Sequence, residues 1–306
     1  MTNIQIIKQR YLKAKRIIIK RDKFKEEMEK QIDLPKMKIL IIGASSYVGA
    51  RIYSDLRNKF NVTGTYNKNK LFKELIKLDI TNSKEVIEII KKIKPEIIIH
   101  VAANPNARWC EQNQKLAKGI NENGTKNIVE AANLINAKII FISSDRVAAP
   151  INVYGKTKLA SENYVKNTKK GFVILRPSLV MGLSPNTTND RPFNRILKNI
   201  TEKTPAIYDT SWKFQPTYLG HISETIELII KNKINKEIIP ISAPELKTRF
   251  DIAKDILSKF NIEVVSVDNK DKSPVVIGKQ DKLKELGLPV YSYSEIIDKI
   301  LKEIKK

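Results

Sequence analysis

The sequence is poor in cysteine, in aromatic residues and in long apolar runs. Cys110 is the one cysteine among 306 residues, so no internal disulfide can form, and such low cysteine use is typical of a reducing compartment. Aromatic residues make up 7% of the chain. No apolar run approaches the ~20 residues that a membrane-spanning helix needs, and the N-terminus lacks a secretory signal pattern. We therefore expect a cytoplasmic protein with no membrane partner.

Acidic residues are scarce relative to basic ones. The chain has 33 aspartates and glutamates against 56 lysines and arginines, a formal net charge of +23. An excess of this size invites a nucleic-acid-binding interpretation, but the lysines are spread along the chain rather than clustered with aromatic residues. We interpret the charge as a lysine-rich composition and expect no nucleic-acid partner. A basic surface of this kind would attract small anionic ligands.

Residues 1–36 differ from the rest of the chain. They contain eleven lysines and arginines against five acidic residues, which leaves a net charge of +6. Met37 stands directly before the first predicted strand, as a start methionine would. We predict a basic N-terminal extension, either an accessory helix or a segment upstream of the true start, with a basic amphipathic helix for a partner as the alternative.

From Met37 onwards, apolar segments alternate with amphipathic ones. The predicted strands are continuous apolar runs, as in sheets covered by helices on both faces, and lie at residues 38–42, 61–66, 75–79, 96–102, 137–143 and 172–176. The predicted helices lie between them, near residues 48–58, 83–93, 113–135 and 153–167. This alternation indicates βαβ units. We therefore predict an α/β fold with a doubly wound parallel sheet, a Rossmann-like NAD(P)-binding domain over residues 37–183.

Beyond residue 183 the alternation becomes less regular. Further helices are predicted near residues 193–202, 221–232, 248–260 and 294–304, with short strands near 205–208, 237–242 and 263–267. We predict a smaller mixed C-terminal substrate-binding lobe over residues 184–306, interleaved with the first domain. A cleft between the two lobes would hold a substrate.

The turn after the first strand has the composition of a dinucleotide phosphate-binding corner. A strand, a turn of small residues and a helix follow one another, so free N–H groups at the helix N-terminus can face a pyrophosphate. Small residues let the backbone approach the phosphates, although Ser46 occupies the position of the usual middle glycine. The cofactor-binding residues predicted here are Gly43, Ser45, Ser46, Tyr47, Val48 and Gly49.

Three further strand ends complete the predicted cofactor site. After the second strand, Asn67 and Lys68 stand where an NAD site usually has an acidic residue, so we predict NADP (NADPH) as the cofactor, with NAD as the alternative. Asp79 and Ile80 follow the third strand, where a carboxylate can accept a hydrogen bond from adenine. Small residues after the fourth strand would let the chain pass close to the cofactor; these are Ala102 and Ala103, followed by Asn104.

The catalytic groups are predicted around the fifth strand and the helix after it. Tyr154 and Lys158 are four residues apart and share one helix face. A lysine ammonium beside a tyrosine stabilises the phenolate and lowers its pKa, so the phenol becomes a usable acid or base. Ser144, at the strand end, can hold a substrate oxygen. Together these side chains could deliver a proton to a carbonyl that receives a hydride, and we predict no metal site.

Several motifs in this order resemble the extended short-chain dehydrogenase/reductase superfamily, and within it the dTDP-4-dehydrorhamnose reductases and the related regulatory β subunit of methionine adenosyltransferase. The resemblance covers roughly residues 37–304. The resemblance implies reduction of a 4-keto nucleotide sugar by NADPH. Tyr154 would be the acid, Lys158 would bind the nicotinamide ribose, and Ser144 would hold the C4 oxygen. Its motifs are Gly43–Gly49, Leu78–Ile80, His100–Ala103, Asn121–Asn127, Ile142–Asp145, Val153–Lys158, Leu175–Pro177 and Phe214–Tyr218.

The sequence also departs from that family. Arg146 stands where the family usually has an aromatic residue, and the segment 146–153 is shorter than the family's segment at this place, which borders the substrate. An alternative is therefore a cofactor-binding regulatory or scaffold subunit like the methionine adenosyltransferase β subunit. A nucleotide-sugar epimerase or dehydratase on the same scaffold is a further alternative. The expected partners are a nucleotide-sugar substrate and either a second copy of the chain or a partner enzyme.

Overall fold

The computed structural model describes residues 37–305. The basic extension predicted for residues 1–36 lies outside the described residues. From Lys38 onwards the chain forms one compact unit. No helix among the described residues is long and apolar enough to cross a membrane. Nor does this part of the chain hold a group of three or more His, Cys, Asp or Glu side chains that could bind a metal ion.

A seven-stranded parallel sheet forms the centre of the unit, and this confirms the predicted fold class. The strands are β1 (Lys38–Ile42), β2 (Asn61–Tyr66), β3 (Ile76–Lys77), β4 (Ile97–His100), β5 (Lys138–Ile142), β6 (Phe172–Pro177), β7 (Val180–Met181), β8 (Ala206–Asp209), β9 (Thr217–Tyr218), β10 (Glu237–Ile241) and β11 (Val264–Val267). The strand order of the large sheet is β10-β6-β5-β4-β1-β2-β3, and two small parallel sheets pair β8 with β11 and β7 with β9.

Helices lie between the strands of the large sheet, as the alternation predicts. They are α1 (Tyr47–Leu56), α2 (Ser83–Ile93), α3 (Ala107–Gln112), α4 (Gln114–Ala117), α5 (Gly124–Leu134), α6 (Val153–Val165), α7 (Pro192–Glu202), α8 (Leu219–Lys231), α9 (Arg249–Leu257), α10 (Asp281–Glu285) and α11 (Tyr293–Ile304). Three further helical segments are a π-helix at Lys118–Asn123 and 3₁₀ helices at Asp145–Ala148 and Ser258–Phe260.

The predicted helix over residues 113–135 is confirmed in extent, because helical segments follow one another from Gln114 to Leu134. Asn113 has non-helical backbone angles (φ −133°, ψ 50°) and separates α3 from α4. The interior is less regular than predicted, since the six residues before α5 are π-helical. A π-bulge of this kind breaks the regular hydrogen-bond ladder and is frequent at functional sites, and this one contains Asn121.

The predicted strand over residues 75–79 is shorter than expected. Leu75 and Leu78 are buried and supply the apolar signal, but the two residues of β3 between them, Ile76 and Lys77, are exposed. β3 pairs with β2 on one side and forms the edge of the sheet. An edge strand packs less of its surface than a central one, so its apolar pattern overstates its length.

The sheet core consists of continuous aliphatic runs buried under helices on both faces. The four apolar residues of β1, Ile39 to Ile42, are each at most 1% exposed. Leu40 and Ile42 share one buried cluster with Ile128 and Val129 of α5 and with residues of α2 such as Val86. These runs explain why the central strands were predictable, because strands buried on both faces lack polar alternation.

Strand β10 comes from the C-terminal part of the chain but belongs to the large sheet. It pairs in parallel with β6, Ile239 opposite Leu175. The segment after residue 183 therefore supplies both the outermost strand of the sheet and the small β8–β11 sheet. The division at residue 184 into a cofactor domain and a substrate lobe stays a prediction.

Candidate functional site

The site forms where the central strands end. In register, Ile42 of β1 lies beside His100 of β4, and His100 lies beside Phe141 of β5. Because the strands are parallel, the segments that follow them emerge at one edge of the sheet. Ligands bind at this edge in open α/β sheets.

The turn after β1 has no room for side chains at its two glycines. Gly43 has φ +94°, and a Cβ there would lie 2.8 Å from the backbone nitrogen of Ala102. A Cβ on Gly49 would lie 2.1 Å from the Gly43 carbonyl oxygen. Ser46, at the usual middle-glycine position, is the N-cap of α1, since its Oγ accepts a hydrogen bond from the Gly49 N–H at 3.0 Å. The turn is therefore compact and brings the α1 N-terminus close to the end of β4.

Tyr47 is held by the segment that follows β7. Its side chain is 2% exposed, and its hydroxyl donates a hydrogen bond to the Gly182 carbonyl. The Ser184 hydroxyl donates to the Tyr47 carbonyl at 2.7 Å, and Asn186 Nδ2 donates to the Ser45 carbonyl at 2.6 Å. Three polar contacts thus fasten residues 182–186 to the turn.

The loop after β2 also reaches the turn. The Leu71 N–H donates to Ser45 Oγ at 3.3 Å. Asn67 and Lys68 are exposed, and Lys70 Nζ lies 5.6 Å from the centre of the Tyr66 ring. Residues 61–73 contain no acidic residue, so the side chains available to an adenosine ribose here are amides and ammonium groups.

Asp79 has a local structural partner. Its Oδ1 accepts hydrogen bonds from the Thr81 N–H at 2.9 Å and the Thr81 hydroxyl at 2.8 Å. The N-cap of α2 is Asn82, whose Oδ1 accepts from the Glu85 N–H. Ile80 is 5% exposed and packs against Gly124. Contact of Asp79 and Ile80 with adenine stays a prediction.

Asn121, in the π-helix, fixes the segment after β4. Its Oδ1 accepts from the Asn104 N–H at 2.7 Å, and its Nδ2 donates to the Asn104 carbonyl at 3.1 Å and to Thr157 Oγ1 at 3.2 Å. It therefore ties the β4 end to α6, the helix of Tyr154. Asn121 belongs to the sequence motif Asn121–Asn127, but its contacts with Asn104 and Thr157 join distant segments and could not be predicted from that motif.

Ser144, Tyr154 and Lys158 line one cavity of about 420 Å³. Ser144 Oγ accepts a hydrogen bond from the Arg146 N–H at 3.2 Å and donates to Asp145 Oδ1 at 3.1 Å. Tyr154 lies in the first turn of α6, whose N-cap Asn152 accepts from the Gly155 N–H at 2.8 Å. The predicted residues that line this cavity are Ser46, Tyr47, Val48, Ala103, Ser144, Tyr154 and Lys158. The others, Gly43, Ser45, Gly49, Asn67, Lys68, Asp79, Ile80, Ala102 and Asn104, lie outside its lining.

Lys158 is deeply buried. Its Nζ donates to the Ile142 carbonyl at 2.7 Å and lies 3.9 Å from the centre of the Phe141 ring. Burial lowers the pKa of Lys158 to about 7, and the charge of Glu162 opposes this effect. Desolvation disfavours the ammonium form, so the lysine is poised to exchange its proton near neutral pH.

The pKa of Tyr154 differs from the expectation. We expected Lys158 to lower it, but burial raises the pKa of Tyr154 to about 12, with the Ser144 hydroxyl and Arg191 acting in the opposite direction. The desolvation of the phenolate outweighs these favourable contacts. The phenol therefore keeps its proton at neutral pH, which suits a proton donor.

His100 is a buried structural residue. Its Nε2 is 3.0 Å from Thr125 Oγ1, and the Thr125 hydroxyl donates to the Asn121 carbonyl. Burial, followed by the charge of Lys158, lowers the pKa of His100 to about 3. A neutral imidazole beneath the site supports the packing of β4 and does not act as a base there.

A polar cluster that sequence reasoning missed lies beneath Lys158. Glu162 is fully buried and accepts hydrogen bonds from Arg176 Nε at 2.9 Å and Nη2 at 2.6 Å. It also accepts from the Ser143 hydroxyl at 2.6 Å. Glu162 follows Lys158 by one helical turn, and this i, i+4 spacing was the signal available in the sequence.

The far wall of the cavity combines Trp212 with arginines. The Arg146 guanidinium lies 4.3 Å and that of Arg249 5.1 Å from the centre of the Trp212 ring. Arg146 Nη1 and Trp212 Nε1 both donate to the Pro274 carbonyl, at 3.2 and 3.3 Å. Arg191 also lines the cavity. Trp212 and the three arginines come from four separate segments, so the sequence alone did not predict that they line one wall.

Comparison with known proteins identifies the family. The RmlD substrate binding domain family matches residues 37–279, and the chain belongs to this family. The chain is 26% identical over 260 residues to the methionine adenosyltransferase 2 subunit beta of Xenopus laevis, covering 78% of this chain and 76% of that protein. It is 30% identical over 158 residues to the dTDP-4-dehydrorhamnose reductase of Salmonella typhimurium, covering 47% of this chain and 52% of that enzyme.

A solved structure shares the whole architecture. The dTDP-4-dehydrorhamnose reductase of Bacillus anthracis, crystallised in complex with NADP, is similar with a TM-score of 0.77 and 26% sequence identity. The similarity covers 88% of this chain and 99% of that one. The resemblance to these reductases and to the methionine adenosyltransferase β subunit is thereby confirmed.

Proposed function

We propose that the protein is a nicotinamide-dependent reductase of a 4-keto nucleotide sugar. The observation that carries this proposal is the convergence of Ser144, Tyr154 and Lys158 on one cavity, beside the N-terminal turn of α1. Membership of a family that includes dTDP-4-dehydrorhamnose reductases supports it. The cavity of about 420 Å³ has a size typical of small-molecule sites.

The residues of the α1 turn fit a dinucleotide. The two glycines allow the backbone to pack too closely for a Cβ, so the turn stays compact, and the free N–H groups of the α1 N-terminus can receive a diphosphate. Lys158 and Ala103 line the cavity beyond this turn, so a dinucleotide along this edge would bring its nicotinamide to the catalytic groups. When bound, the reduced nicotinamide supplies the hydride.

The side chains of the chain supply the proton and hold the carbonyl. Ser144 donates a hydrogen bond to the substrate carbonyl oxygen, exchanging its present contact with Asp145. Tyr154, protonated at neutral pH, donates its proton to that oxygen as the carbon receives the hydride, so ketone becomes alcohol. Lys158 places a positive charge beside the forming phenolate and, with a pKa near 7, can return a proton to it.

We further propose NADPH as the preferred cofactor. The loop that would face the adenosine ribose offers Asn67, Lys68 and Lys70 and no acidic residue. A lysine pair favours a 2′-phosphate, whereas recognition of the free ribose hydroxyls usually uses a carboxylate.

The test is consumption of NADPH by the purified chain with dTDP-4-dehydrorhamnose and other 4-keto nucleotide sugars. We expect turnover in the wild type and its loss, by about a thousandfold, in Tyr154→Phe, since the variant lacks the proton donor. Equal binding of NADPH by both proteins serves as the control. Absence of turnover with every 4-keto nucleotide sugar would refute the proposal.

A second candidate is a cofactor-binding regulatory subunit. The observation that favours it is the similarity to the methionine adenosyltransferase 2 subunit beta over 78% of this chain, a longer match than that to the Salmonella reductase. The expected result is then co-purification with a methionine adenosyltransferase catalytic subunit and a change in that enzyme's rate. Turnover without a stable partner would contradict it.

A further inference from the structure

The arginines of the described chain fall into three groups. Five form ion pairs with carboxylates, namely Arg51, Arg57, Arg176, Arg195 and Arg249. Arg108 is exposed to water. Arg146 and Arg191 are partly buried and have no ion pair within residues 37–305. Both of these line the cavity of Ser144 and Tyr154.

Arg146 is held in place by neutral contacts. One of its nitrogens donates to the Pro274 carbonyl, and its guanidinium stacks on Trp212. The stacking and the hydrogen bond to the carbonyl fix the orientation of the guanidinium plane. Most of its five N–H donors stay free, and its charge has no ion-pair partner among the described residues. A guanidinium held in this way can donate its free N–H groups to an anion.

Arg191 has no side-chain hydrogen bond within the described residues. It stands directly before Pro192, the first residue of α7. It lines the same cavity as Tyr47 and Tyr154, and its charge acts to lower the pKa of both tyrosines against the larger effect of burial. Burial lowers the pKa of Arg191 itself, and the charges of Tyr154, Tyr47 and Asp190 oppose this effect. Asp190 forms its ion pair with Arg195, at 2.6 Å.

The acidic residues on the cavity wall do not neutralise these two arginines. Asp145 accepts the Ser144 hydroxyl. Asp271 lies 4.0 Å from Arg249, which also pairs with the buried Asp209 at 3.5 Å. Arg249 thus has ion-pair partners inside the protein, whereas Arg146 and Arg191 have none within residues 37–305.

We propose that Arg146 and Arg191 form an anion-binding subsite for the substrate, which receives an anionic oxygen group of a phosphate or a carboxylate. This rests on the proposed function, because the subsite adjoins the groups that would reduce the carbonyl. Guanidinium pairs bind such oxygens through charge-assisted hydrogen bonds. The anion is either the diphosphate of the sugar nucleotide or a carboxylate on the sugar.

The test uses two anionic probes on the chain saturated with NADP⁺, so that the cofactor site is filled. Inorganic pyrophosphate represents the diphosphate and glucuronate the sugar carboxylate, and calorimetry measures binding of each. We expect Arg146→Gln and Arg191→Gln each to raise the Kd of one probe about tenfold, because each variant loses one charge-assisted hydrogen bond. Arg57→Gln, the same change on an arginine outside the cavity, should leave binding unchanged. Arg146→Lys, which keeps the charge, should lose less than Arg146→Gln.

The results distinguish a diphosphate from a sugar carboxylate as the bound anion, and they test the subsite separately from the reductase activity. A loss confined to pyrophosphate identifies the diphosphate, and a loss confined to glucuronate identifies the carboxylate. Wild-type binding of neither probe at millimolar concentration, or equal binding by variants and wild type, would overturn the subsite. So would a weaker affinity for NADP⁺ itself in the variants, since the arginines would then serve the cofactor. Probe binding without NADPH turnover would refute the reductase and leave the subsite standing.

Discussion

Arg176 and Glu162 form a two-point ion pair beneath the buried Lys158. Both guanidinium nitrogens that face Glu162 donate to it, at 2.9 and 2.6 Å, and the carboxylate is fully buried. A buried carboxylate is stable when it is paired and hydrogen-bonded. Arg176 therefore keeps Glu162 ionised, and the carboxylate places a negative charge one helical turn from Lys158, whose pKa it raises.

Glu162→Gln should move the alkaline limit of activity to lower pH. Glu162 raises the pKa of Lys158 against the effect of burial, so removal of the charge lowers that pKa below about 7. If turnover needs the ammonium form, it declines as pH rises through this pKa. The measurement is the pH dependence of kcat/KM in wild type and variant.

The same substitution should also destabilise the fold by about 3 kcal/mol, because Arg176 loses its partner. Ser143→Ala is the matched control, since it removes a hydrogen bond to the Glu162 carboxylate and leaves the charge in place. It should cost about 2 kcal/mol and leave the pH profile unshifted. An unshifted profile in Glu162→Gln would show that Glu162 supports packing alone.

Lys158→Met should abolish turnover and stabilise the protein at acid pH. The pKa of Lys158 in the folded chain is about 7, below its ordinary value of about 10.4. Between these values the unfolded chain binds more protons, so wild-type stability rises with pH across this window. Below it, the folded chain carries the full cost of the buried charge.

We therefore expect Lys158→Met to raise Tm by a few degrees near pH 6 and to lose this advantage towards pH 10. The lost hydrogen bond to the Ile142 carbonyl offsets the gain by about 1 kcal/mol at every pH. Thermal unfolding at several pH values is the measurement. A variant less stable than wild type at pH 6 would contradict the account of Lys158 as a strained, functional group.

Gly49→Ala should distort the turn between β1 and α1, where we propose that the dinucleotide binds. Its Cβ would stand 2.1 Å from the Gly43 carbonyl oxygen, so the turn must move. We expect a loss of about 3 kcal/mol in the free energy of unfolding and weaker dinucleotide binding. Gly119→Ala is the control, because a Cβ there meets no atom within 4 Å and helical alanine is favoured. Equal effects of the two substitutions on cofactor affinity would refute the assigned role of the turn.

Lys68→Glu combined with Lys70→Glu should reverse the cofactor preference. The two lysines are exposed, so the change should leave Tm nearly unchanged. Charge reversal repels a 2′-phosphate and supplies carboxylates for the ribose hydroxyls. We expect KM for NADPH to rise about tenfold or more while that for NADH stays constant or falls. An unchanged ratio of the two values would remove the basis for preferring NADPH.

The sequence predicted features that depend on neighbouring residues. The small-residue turn between Gly43 and Gly49 and the i, i+4 pair Tyr154 and Lys158 are local patterns with a direct geometric meaning. The central strands could also be predicted from the sequence, because continuous aliphatic runs such as Ile39–Ile42 indicate burial on both faces.

The rest depends on contacts between distant segments. Arg176 reaches Glu162 from a neighbouring strand, and Trp212 meets Arg146 and Arg249 from separate segments. The raised pKa of Tyr154 also depended on tertiary burial, which the spacing to Lys158 does not report. The π-helix around Asn121 could not be predicted either, because Asn121 bonds to Asn104 and Thr157 from other segments.

The central claim is hydride transfer to the carbonyl carbon with Tyr154 as the proton donor. The most direct measurement uses NADPH deuterated at both positions of nicotinamide C4, with dTDP-4-dehydrorhamnose as substrate, and analyses the sugar product by mass spectrometry and NMR. The account predicts one deuterium at sugar C4 with the wild type and none with Tyr154→Phe, although both proteins bind NADPH. Deuterium at C4 in equal yield with Tyr154→Phe, or none with the wild type for any 4-keto nucleotide sugar, would contradict it.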